Sequence, residues 1–386
     1  MMKKILTAFV VAGCILLAPA QAGAEQTENT ALNINAPACI LLEAQSGDIL
    51  YKKNADEKHY PASVTKLMTL VLACEAIENG DAELTDVVTT SKEAASMGGS
   101  QVYLFEGEQR SLEEMLIAVA VGSGNDASYA VAEFLSGSCQ GFVQKMNDKA
   151  AELGMAGTHF CNPHGLHDDE HYTTAADLAI LACYAVKVPK LLEFTEIYEY
   201  DFRPDPKPLK LWNTNRLLKW YDGTDGLKTG YTDKAGRNLA ATAERDGLRL
   251  ISVVLGATER NGHYTESMKL LNYGFNLFSW EDLYPQGAVI TNIPIEKGVL
   301  NSVDLMLSEP VRVLQRKGEQ KELSLRYTVN KRLLAPCEAG KNAGELIVYQ
   351  GEKEMHRYPL VTAAAVEKCG LLTTFKKTLA AAGLYF

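Results

Sequence analysis

The chain has 386 residues, of which 47% are hydrophobic and 22% are charged. This composition is typical of a folded protein with a sizeable core, and the length leaves room for two or three domains. The formal net charge of −10 excludes a general nucleic-acid binder, because such proteins carry a basic surface.

The first 24 residues have the pattern of a secretory signal peptide. Lys3 and Lys4 precede an apolar run over residues 5–18, and small residues at positions 20, 22 and 24 offer cleavage sites. We therefore predict an exported protein whose mature chain begins near Glu25. A lipidated Cys14 is the alternative, but apolar residues follow Cys14 where a lipidated cysteine is usually followed by polar ones.

The next predicted elements are two strands and a helix. Residues 40–51 read as two short strands around a turn at Ser46 and Gly47. Residues 64–77 are apolar enough for a buried helix. Ser63 directly precedes this helix and Lys66 follows three residues later, a spacing that places both side chains on one helix face.

The middle of the chain is predicted to be helical. Ser111 and Glu114 fit a capping box that opens a helix over residues 112–121. Thr174 and Asp177 have a similar arrangement before the helical pattern of residues 178–184. Helices therefore separate the first strands from those that follow.

Strand patterns return after residue 226. Residues 227–232, 238–243 and 248–256 favour strands, and Asp246 with Gly247 marks a tight turn between the last two. A helix is predicted over residues 263–278. Strands, then helices, then a meander indicate an α/β (α+β) fold, in which helices flank one antiparallel sheet and the first strands join the last.

After residue 284 the composition shifts to short alternating strands. We assign residues 25–284 to a first domain and residues 285–365 to a separate small β-rich domain. The strands of this second domain are predicted at residues 288–293, 302–307, 311–315, 323–329 and 345–350.

The chain ends in a predicted amphipathic helix, which we assign to residues 366–386. Its amphipathic stretch, residues 371–386, is shorter than the roughly 20 apolar residues that cross a bilayer. We predict that it lies in the membrane interface with its lysines toward anionic lipid; docking on the protein's own surface is the alternative. Its apolar face carries Leu371, Leu372, Phe375, Leu379 and Phe386.

Three polar clusters lie at the edges of predicted helices or strands. Ser63 with Lys66 comes first, Ser123 with Asn125 second, and the Lys-Thr-Gly sequence of residues 228–230 third. A serine hydroxyl is a poor nucleophile until a base takes its proton, and a lysine on the same helix face can be that base. Order, spacing and context together resemble the active-site-serine family of penicillin-binding proteins and serine β-lactamases.

The resemblance implies a role for each residue of the three clusters. Ser63 would be the acylated nucleophile, and Lys66 its base, kept neutral by burial and by the charge of Lys228. Ser123 would relay a proton to the leaving group, and Asn125 would orient Lys66. In substrate binding, Lys228 and Thr229 would hold a terminal carboxylate, Gly230 would leave space for the substrate backbone, and the backbone N–H groups of Ser63 and Tyr231 would stabilise the oxyanion.

Stretches outside the clusters resemble a D-alanyl-D-alanine carboxypeptidase. They are residues 160–166, 212–218 and 225–232, and the resemblance extends over nearly all of residues 38–386. It implies that residues 25–284 form a serine peptidase domain, which removes the terminal D-Ala from peptidoglycan pentapeptide stems without a cofactor. β-Lactams would acylate the same serine. The implied location is the outer face of the cytoplasmic membrane or elsewhere in the cell envelope.

Two related functions compete with this interpretation. A class A β-lactamase normally has Ser-Asp-Asn and a downstream Glu-x-x-Leu-Asn that activates water, whereas this chain has Ser-Gly-Asn and lacks the second motif. A β-lactam-binding or wall-binding protein without activity would keep the same clusters, but the complete set of nucleophile, base and carboxylate-binding residues favours an enzyme. A Gly-x-Ser-x-Gly motif, which would indicate a Ser-His-Asp mechanism, surrounds neither Ser63 nor Ser123.

A metal-dependent alternative comes from His167-Asp-Asp-Glu-His171, a literal match to the inverted zinc-protease motif. That chemistry requires both histidines one turn apart on a helix. Residues 162–165 read Asn-Pro-His-Gly, and Thr174 caps the next helix only afterwards, so we predict a loop and no metal.

The cysteines do not indicate a metal site or a disulfide framework. Seven follow the predicted leader with no Cys-x-x-Cys spacing, an odd number that leaves at least one free thiol unless chains pair. Cys74 and Cys183 lie in apolar helical patterns, where core packing is the simplest explanation. We assign no disulfide.

Overall fold

The computed structural model describes residues 32–203, 208–319 and 322–370. The chain divides between Leu277 and Phe278 into two compact units. The leader predicted over residues 1–24 lies outside the described residues.

The first unit contains a central sheet, two small β-ribbons and a block of helices. Its strands are β1 (Ala38–Glu43), β2 (Ile49–Lys53), β3 (Val87–Thr89), β4 (Gln109–Ser111), β5 (Glu199–Arg203), β6 (Leu209–Trp212), β7 (Thr224–Thr232), β8 (Gly236–Arg245) and β9 (Leu248–Ala257). Its helices are α1 (Lys66–Glu78), α2 (Lys92–Ala95), α3 (Leu112–Ala120), α4 (Asn125–Ser136), α5 (Cys139–Glu152), α6 (Ala175–Ala185), α7 (Leu191–Thr195), α8 (Leu217–Trp220) and α9 (Gly262–Leu277).

The central sheet joins both ends of this unit. Its strand order is β2-β1-β9-β8-β7, and every neighbouring pair is antiparallel. The prediction that the first strands join the last is therefore confirmed. Asp246 and Gly247 turn β8 into β9 with positive φ angles of 51° and 75°, a combination that tight hairpins require.

Helices cover both faces of the central sheet. β1 is buried along its whole length, which explains why its sequence is continuously apolar up to Glu43. Ile40 and Leu42 belong to the main core, which α1, α3, α4 and α6 also line. On the other face, α9 approaches so closely at Gly274 that a Cβ there would lie 2.4 Å from Leu250 Cδ1.

The helix caps agree with the sequence pattern, but the start of the first helix does not. Ser111 and Glu114 form the predicted capping box of α3, and the Thr174 side chain accepts the Asp177 N–H at the start of α6. The helix predicted from residue 64 begins at Lys66 instead, because Ala62–Thr65 forms a 3₁₀ turn. Pro61 and the positive φ of Ala62 tighten the chain there.

The second unit is made of strands packed around a small apolar core. β10 (Phe278–Tyr284) replaces the end of the helix predicted to reach residue 278. The strand β17 (Lys353–Thr362) was not predicted, because its first half is charged and exposed. The other strands of this unit are β11 (Val289–Glu296), β12 (Ser302–Leu307), β13 (Val311–Arg316), β14 (Leu323–Val329), β15 (Leu333–Leu334) and β16 (Asn342–Gln350). One sheet has the order β14-β16-β17-β12-β11-β15, and a separate ribbon pairs β10 with β13.

The described residues stop before most of the predicted C-terminal helix. Val366 and Lys368 form β-bridges with Cys337 and Gly298, and residues 366–370 contain no helix, which corrects the helix start predicted at residue 366. Residues 371–386 lie outside the described part of the chain. Within that described part, none of the helices combines the length and apolar character needed to cross a membrane.

Candidate active site

The Lys66 amino group is the meeting point of three separate chain segments. It lies 3.1 Å from Ser63 Oγ, 2.6 Å from Asn125 Oδ1 and 2.7 Å from the His164 carbonyl oxygen, all within hydrogen-bond distance. Lys66 is the first residue of α1, Asn125 is the first residue of α4, and His164 lies in a loop. The fold therefore brings together the first two predicted clusters.

The environment of Lys66 favours the neutral amine. Burial holds the pKa of Lys66 well below its usual value, and the charge of Lys228 lowers it further, while Asp126 opposes this. A neutral amine has two N–H groups and one lone pair. The amide oxygen of Asn125 and the backbone carbonyl of His164 can only accept, so they take the two N–H groups. The lone pair is then left for the hydroxyl of Ser63.

The loop of residues 160–166 holds Lys66 and the Ser63 turn from one side. Thr69 Oγ1 from α1 and Ser128 Oγ from α4 both donate to the Pro163 carbonyl at 2.7 Å. Gly165 has a φ of +86°, and a Cβ at this position would lie 1.8 Å from the Ala62 carbonyl oxygen. Only glycine permits this contact, which presses the loop against the peptide that leads into Ser63.

β7 presses on the same turn from the opposite side. A Cβ at Gly230 would lie 2.6 Å from the Pro61 carbonyl oxygen and 3.0 Å from the Ser63 nitrogen. We expected Gly230 to leave space for a substrate backbone; its contacts show that it also makes room for the Ser63 turn. Tyr231 directly follows Gly230 in β7.

Asn238 ties the sheet to the Ser63 turn and was missed from the sequence. It lies opposite Gly230 in the pairing of β7 with β8 and is fully buried. Its side-chain nitrogen donates to the Tyr60 carbonyl at 2.8 Å and to the Pro61 carbonyl at 3.1 Å, and its oxygen accepts the Gly256 N–H at 2.8 Å. An asparagine inside a strand pattern was the available signal, since a buried amide needs partners.

Ser123 lies in a strained position between two glycines. Its φ is +56°, which costs a residue with a side chain about 1–3 kcal/mol. A Cβ at Gly124 would lie 2.8 Å from Asp126 Oδ1, whose carboxylate accepts the Val102 and Leu104 N–H groups at 3.0–3.1 Å. This packing holds Ser123 in place against the strain, buried but at the wall of the cleft that also exposes Ser63.

The third predicted cluster is divided between the interior and the cleft. Lys228 is 1% exposed, burial lowers its pKa to about 7, and it donates to the Thr229 carbonyl at 3.2 Å. Thr229 instead lines the cleft, where its hydroxyl donates to Thr214 Oγ1 at 2.6 Å. Of the two residues predicted to hold a carboxylate, Thr229 is at the surface of the cleft and Lys228 lies beneath it.

The cleft over Ser63 has a volume of about 580 Å³. Trp212, Tyr198 and Tyr231 contribute aromatic walls, and Ser63, Ser123 and Thr229 contribute hydroxyl groups. Among the described residues, no aspartate or glutamate lines it. Four further lining residues, which the sequence did not indicate, are Arg216, Arg237, Arg260 and His263.

The His-Asp-Asp-Glu-His segment is a loop, as predicted. His171 is buried, and its Nδ1 accepts the Cys161 N–H at 3.0 Å while its Nε2 lies 2.8 Å from Thr65 Oγ1. Burial lowers the pKa of His171 to about 4, so the ring is neutral at pH 7 and Nε2 carries the proton. His171 therefore fixes Thr65, which directly precedes Lys66, and both ring nitrogens of His171 are taken up by hydrogen bonds.

Comparison with known proteins follows the same division of the chain. Residues 24–259 match the family model described as D-alanyl-D-alanine carboxypeptidase, and residues 278–368 match penicillin-binding protein 5, C-terminal domain. The D-alanyl-D-alanine carboxypeptidase DacF of Bacillus subtilis is 38% identical over 98% of each chain. These matches cover both units.

Two solved structures are also similar. Penicillin-binding protein 5 from Haemophilus influenzae has a TM-score of 0.72 and 33% identity, covering 87% of this chain and 98% of its own. Penicillin-binding protein D2 from Listeria monocytogenes, solved in an ampicillin-bound form, has a TM-score of 0.57 and 32% identity, covering 63% of this chain and 98% of its own.

The contact between Gly165 and the Ser63 turn can be tested with two alanine variants. Gly165→Ala must place its Cβ against the Ala62 carbonyl, whereas Gly154, with a similar φ of +78°, has open space around it. We expect Gly165→Ala to lose about 1–3 kcal/mol more unfolding free energy than Gly154→Ala, because both variants share the backbone strain but only the first is overpacked. Urea titrations of both variants measure the difference. Equal losses would show that the contact is not close.

Proposed function

The chain belongs to the D-alanyl-D-alanine carboxypeptidase family, and from this premise we propose that it removes the terminal D-Ala from peptidoglycan pentapeptide stems through an ester on Ser63. The observation that carries the proposal is the 3.1 Å contact between the Lys66 amine and Ser63 Oγ. The two other Lys66 contacts are to groups that only accept, so a neutral amine offers its lone pair to the serine hydroxyl.

In the first step, Ser63 Oγ attacks the carbonyl carbon of the bond between the last two D-Ala residues. Lys66 takes the hydroxyl proton as the Oγ–C bond forms. The carbonyl oxygen becomes negative and would be stabilised by the backbone N–H groups of Ser63 and Tyr231. These groups are held by packing at Gly230, so little reorganisation is needed during the reaction.

In the second step, the C–N bond breaks and the leaving amine of D-Ala takes a proton. Lys66 gives up the proton that it accepted from Ser63, and Ser123 relays this proton to the leaving amine. Lys66 thereby returns to its neutral form. Ser123 suits this role because it is buried at the wall of the cleft. Water then attacks the ester carbonyl and gives a proton to Lys66. As the bond between Ser63 Oγ and the carbonyl carbon breaks, Lys66 passes this proton to Ser63 Oγ, which restores the hydroxyl and the neutral amine and leaves a carboxyl group on the shortened stem.

Substrate binding uses the third cluster. The Thr229 hydroxyl would bind the terminal carboxylate, and the charge of Lys228 beneath the cleft would favour it. With a pKa near 7, Lys228 would supply only part of a charge at neutral pH. Asn125 orients Lys66 through its Oδ1, while its side-chain nitrogen donates to the Gly98 carbonyl at 2.7 Å.

β-Lactams would acylate the same serine, as the ampicillin-bound relative suggests for this cleft. Export through the leader at residues 1–24 and interfacial binding by the C-terminal helix would keep the enzyme at the outer face of the cytoplasmic membrane, next to its substrate. Both segments lie largely outside the described residues, so this location rests on the sequence pattern.

The identity of the nucleophile is tested by substitution and mass. In Ser63→Ala, D-Ala release from a defined pentapeptide should fall by about 10⁴-fold or more, and no penicilloyl mass should be found, because Ser63 supplies the hydroxyl that contacts Lys66. The exposed Ser324 provides the control, since Ser324→Ala should keep both activities. An adduct on Ser63→Ala, or on a peptide that contains Ser123 instead, would refute the assignment.

The charge coupling between the two lysines predicts a pH shift. Acylation requires neutral Lys66, so its rate rises as the pH rises through the pKa of Lys66. The charge of Lys228 lowers that pKa, and Lys228→Gln should raise it and move the rising limb to higher pH. The measurement is the second-order rate of acylation by labelled penicillin from about pH 5 to pH 10. Lys353→Gln, at an exposed lysine of the second unit, should not move the limb; a limb that stays in place in Lys228→Gln would contradict the coupling.

The lack of carboxylates around the cleft predicts a persistent β-lactam adduct. Water near the ester has no aspartate or glutamate among the described lining residues to activate it. Nitrocefin should therefore give a burst of about one equivalent and then a slow phase, with the adduct still present by intact mass. Ser63→Ala should show no burst. Sustained rapid hydrolysis would instead indicate a β-lactamase.

A further inference from the structure

Three arginines from separate segments line the cleft that contains Ser63. Arg216 directly precedes α8, Arg237 lies in β8, and Arg260 lies just before α9. They share the cleft with Thr229, the residue that we expect to bind the terminal carboxylate. The proposed reaction assigns none of the three a role.

None of these guanidinium groups is paired with a carboxylate among the described residues. Arg203 and Arg249, by contrast, bind carboxylates at 2.5–3.0 Å. Arg237 lies over the Tyr231 ring at 4.6 Å, and Arg216 lies over the Trp220 ring at 5.4 Å. These ring contacts orient both side chains but leave their charges without a counter-ion.

The three arginine side chains carry permanent positive charges, which are more than one substrate carboxylate can neutralise. A guanidinium stays protonated at any physiological pH. Burial, followed by the charges of Arg237 and Arg216, lowers the pKa of His263 to about 4, so His263 is neutral at pH 7. The positive potentials of Arg237 and Arg216 therefore overlap at His263. The positive N-terminal end of α9, which carries His263 and Tyr264, adds to the potential.

We propose that Arg216, Arg237 and Arg260 form a second anion subsite, which binds a carboxylate on the leaving group beyond the one at Thr229. The substrate class is a peptide whose leaving residue is acidic, such as a D-amino dicarboxylic acid. The chemistry is the same hydrolysis, in which the amide C–N bond breaks and water supplies the new carboxylate. This proposal rests on the proposed function, because it presumes that the cleft binds the leaving group.

Two leaving residues of the same shape test the subsite. The substrates share one acylated stem that ends in D-Ala, followed by either D-Glu or D-Gln, and D-Ala serves as the reference leaving residue. We expect kcat/KM for D-Glu to exceed that for D-Gln by about tenfold or more, because charge-assisted contacts to arginine are the stronger ones. The ratio should fall as salt screens the charges.

The arginines are then replaced one at a time. Arg237→Gln and Arg216→Gln should bring the D-Glu to D-Gln ratio toward one. Arg326→Gln is the matched control, because Arg326 lies over the Tyr349 ring at 4.6 Å and likewise has no carboxylate partner in the described part of the chain, but belongs to the second unit. It should keep the wild-type ratio. Thermal melting checks that each variant is folded, and the ratio itself corrects for any general loss of activity.

The outcomes separate this proposal from the proposed function. Release of D-Ala with a D-Glu to D-Gln ratio of one would overturn the subsite alone. A ratio above one that survives in Arg216→Gln and Arg237→Gln would also overturn it. Failure to release D-Ala would overturn the proposed function. Calorimetric binding of both peptides to Ser63→Ala would still decide the subsite. Tighter binding of the D-Glu peptide would support the subsite, and equal binding would refute it.

Discussion

The three hydrogen bonds of one buried amine organise this active site. A charged Lys66 in the interior would be costly, so its surroundings favour the neutral form. Its partners come from the Ser63 turn, the start of α4 and the 160–166 loop. Because two of them can only accept, the direction of the remaining lone pair is decided by the fold. The proposed chemistry of Ser63 depends on this arrangement.

Close backbone contacts keep the Ser63 turn in position. Gly165 presses on the turn from the loop and Gly230 from β7, and in both places a Cβ would collide with backbone atoms. Asn238 adds hydrogen bonds to the two carbonyls before the turn. The proposed nucleophile, Ser63, is thus carried by a short 3₁₀ turn held between rigid elements, which suits a group that must meet a substrate in one geometry.

Sequence patterns predicted the sheet order and the helix caps better than they predicted boundaries. The Ser111 cap and the Asp246-Gly247 turn depend on neighbouring residues, and both appear as expected. The first helix begins two residues later than predicted, and β17 was missed because charged residues occupy its exposed half. Such details are decided by contacts between distant segments, which local periodicity does not report.

The sequence by itself determined which residue types carry the proposed chemistry, because Ser63 with Lys66 and residues 228–230 are short spacings that one turn or one strand preserves. Only the tertiary structure decided that the His164 carbonyl completes the Lys66 site, that Lys228 lies beneath the cleft while Thr229 lines it, and that three arginines share that cleft. These features join residues that are far apart in the chain, and they arise from strand register and loop packing.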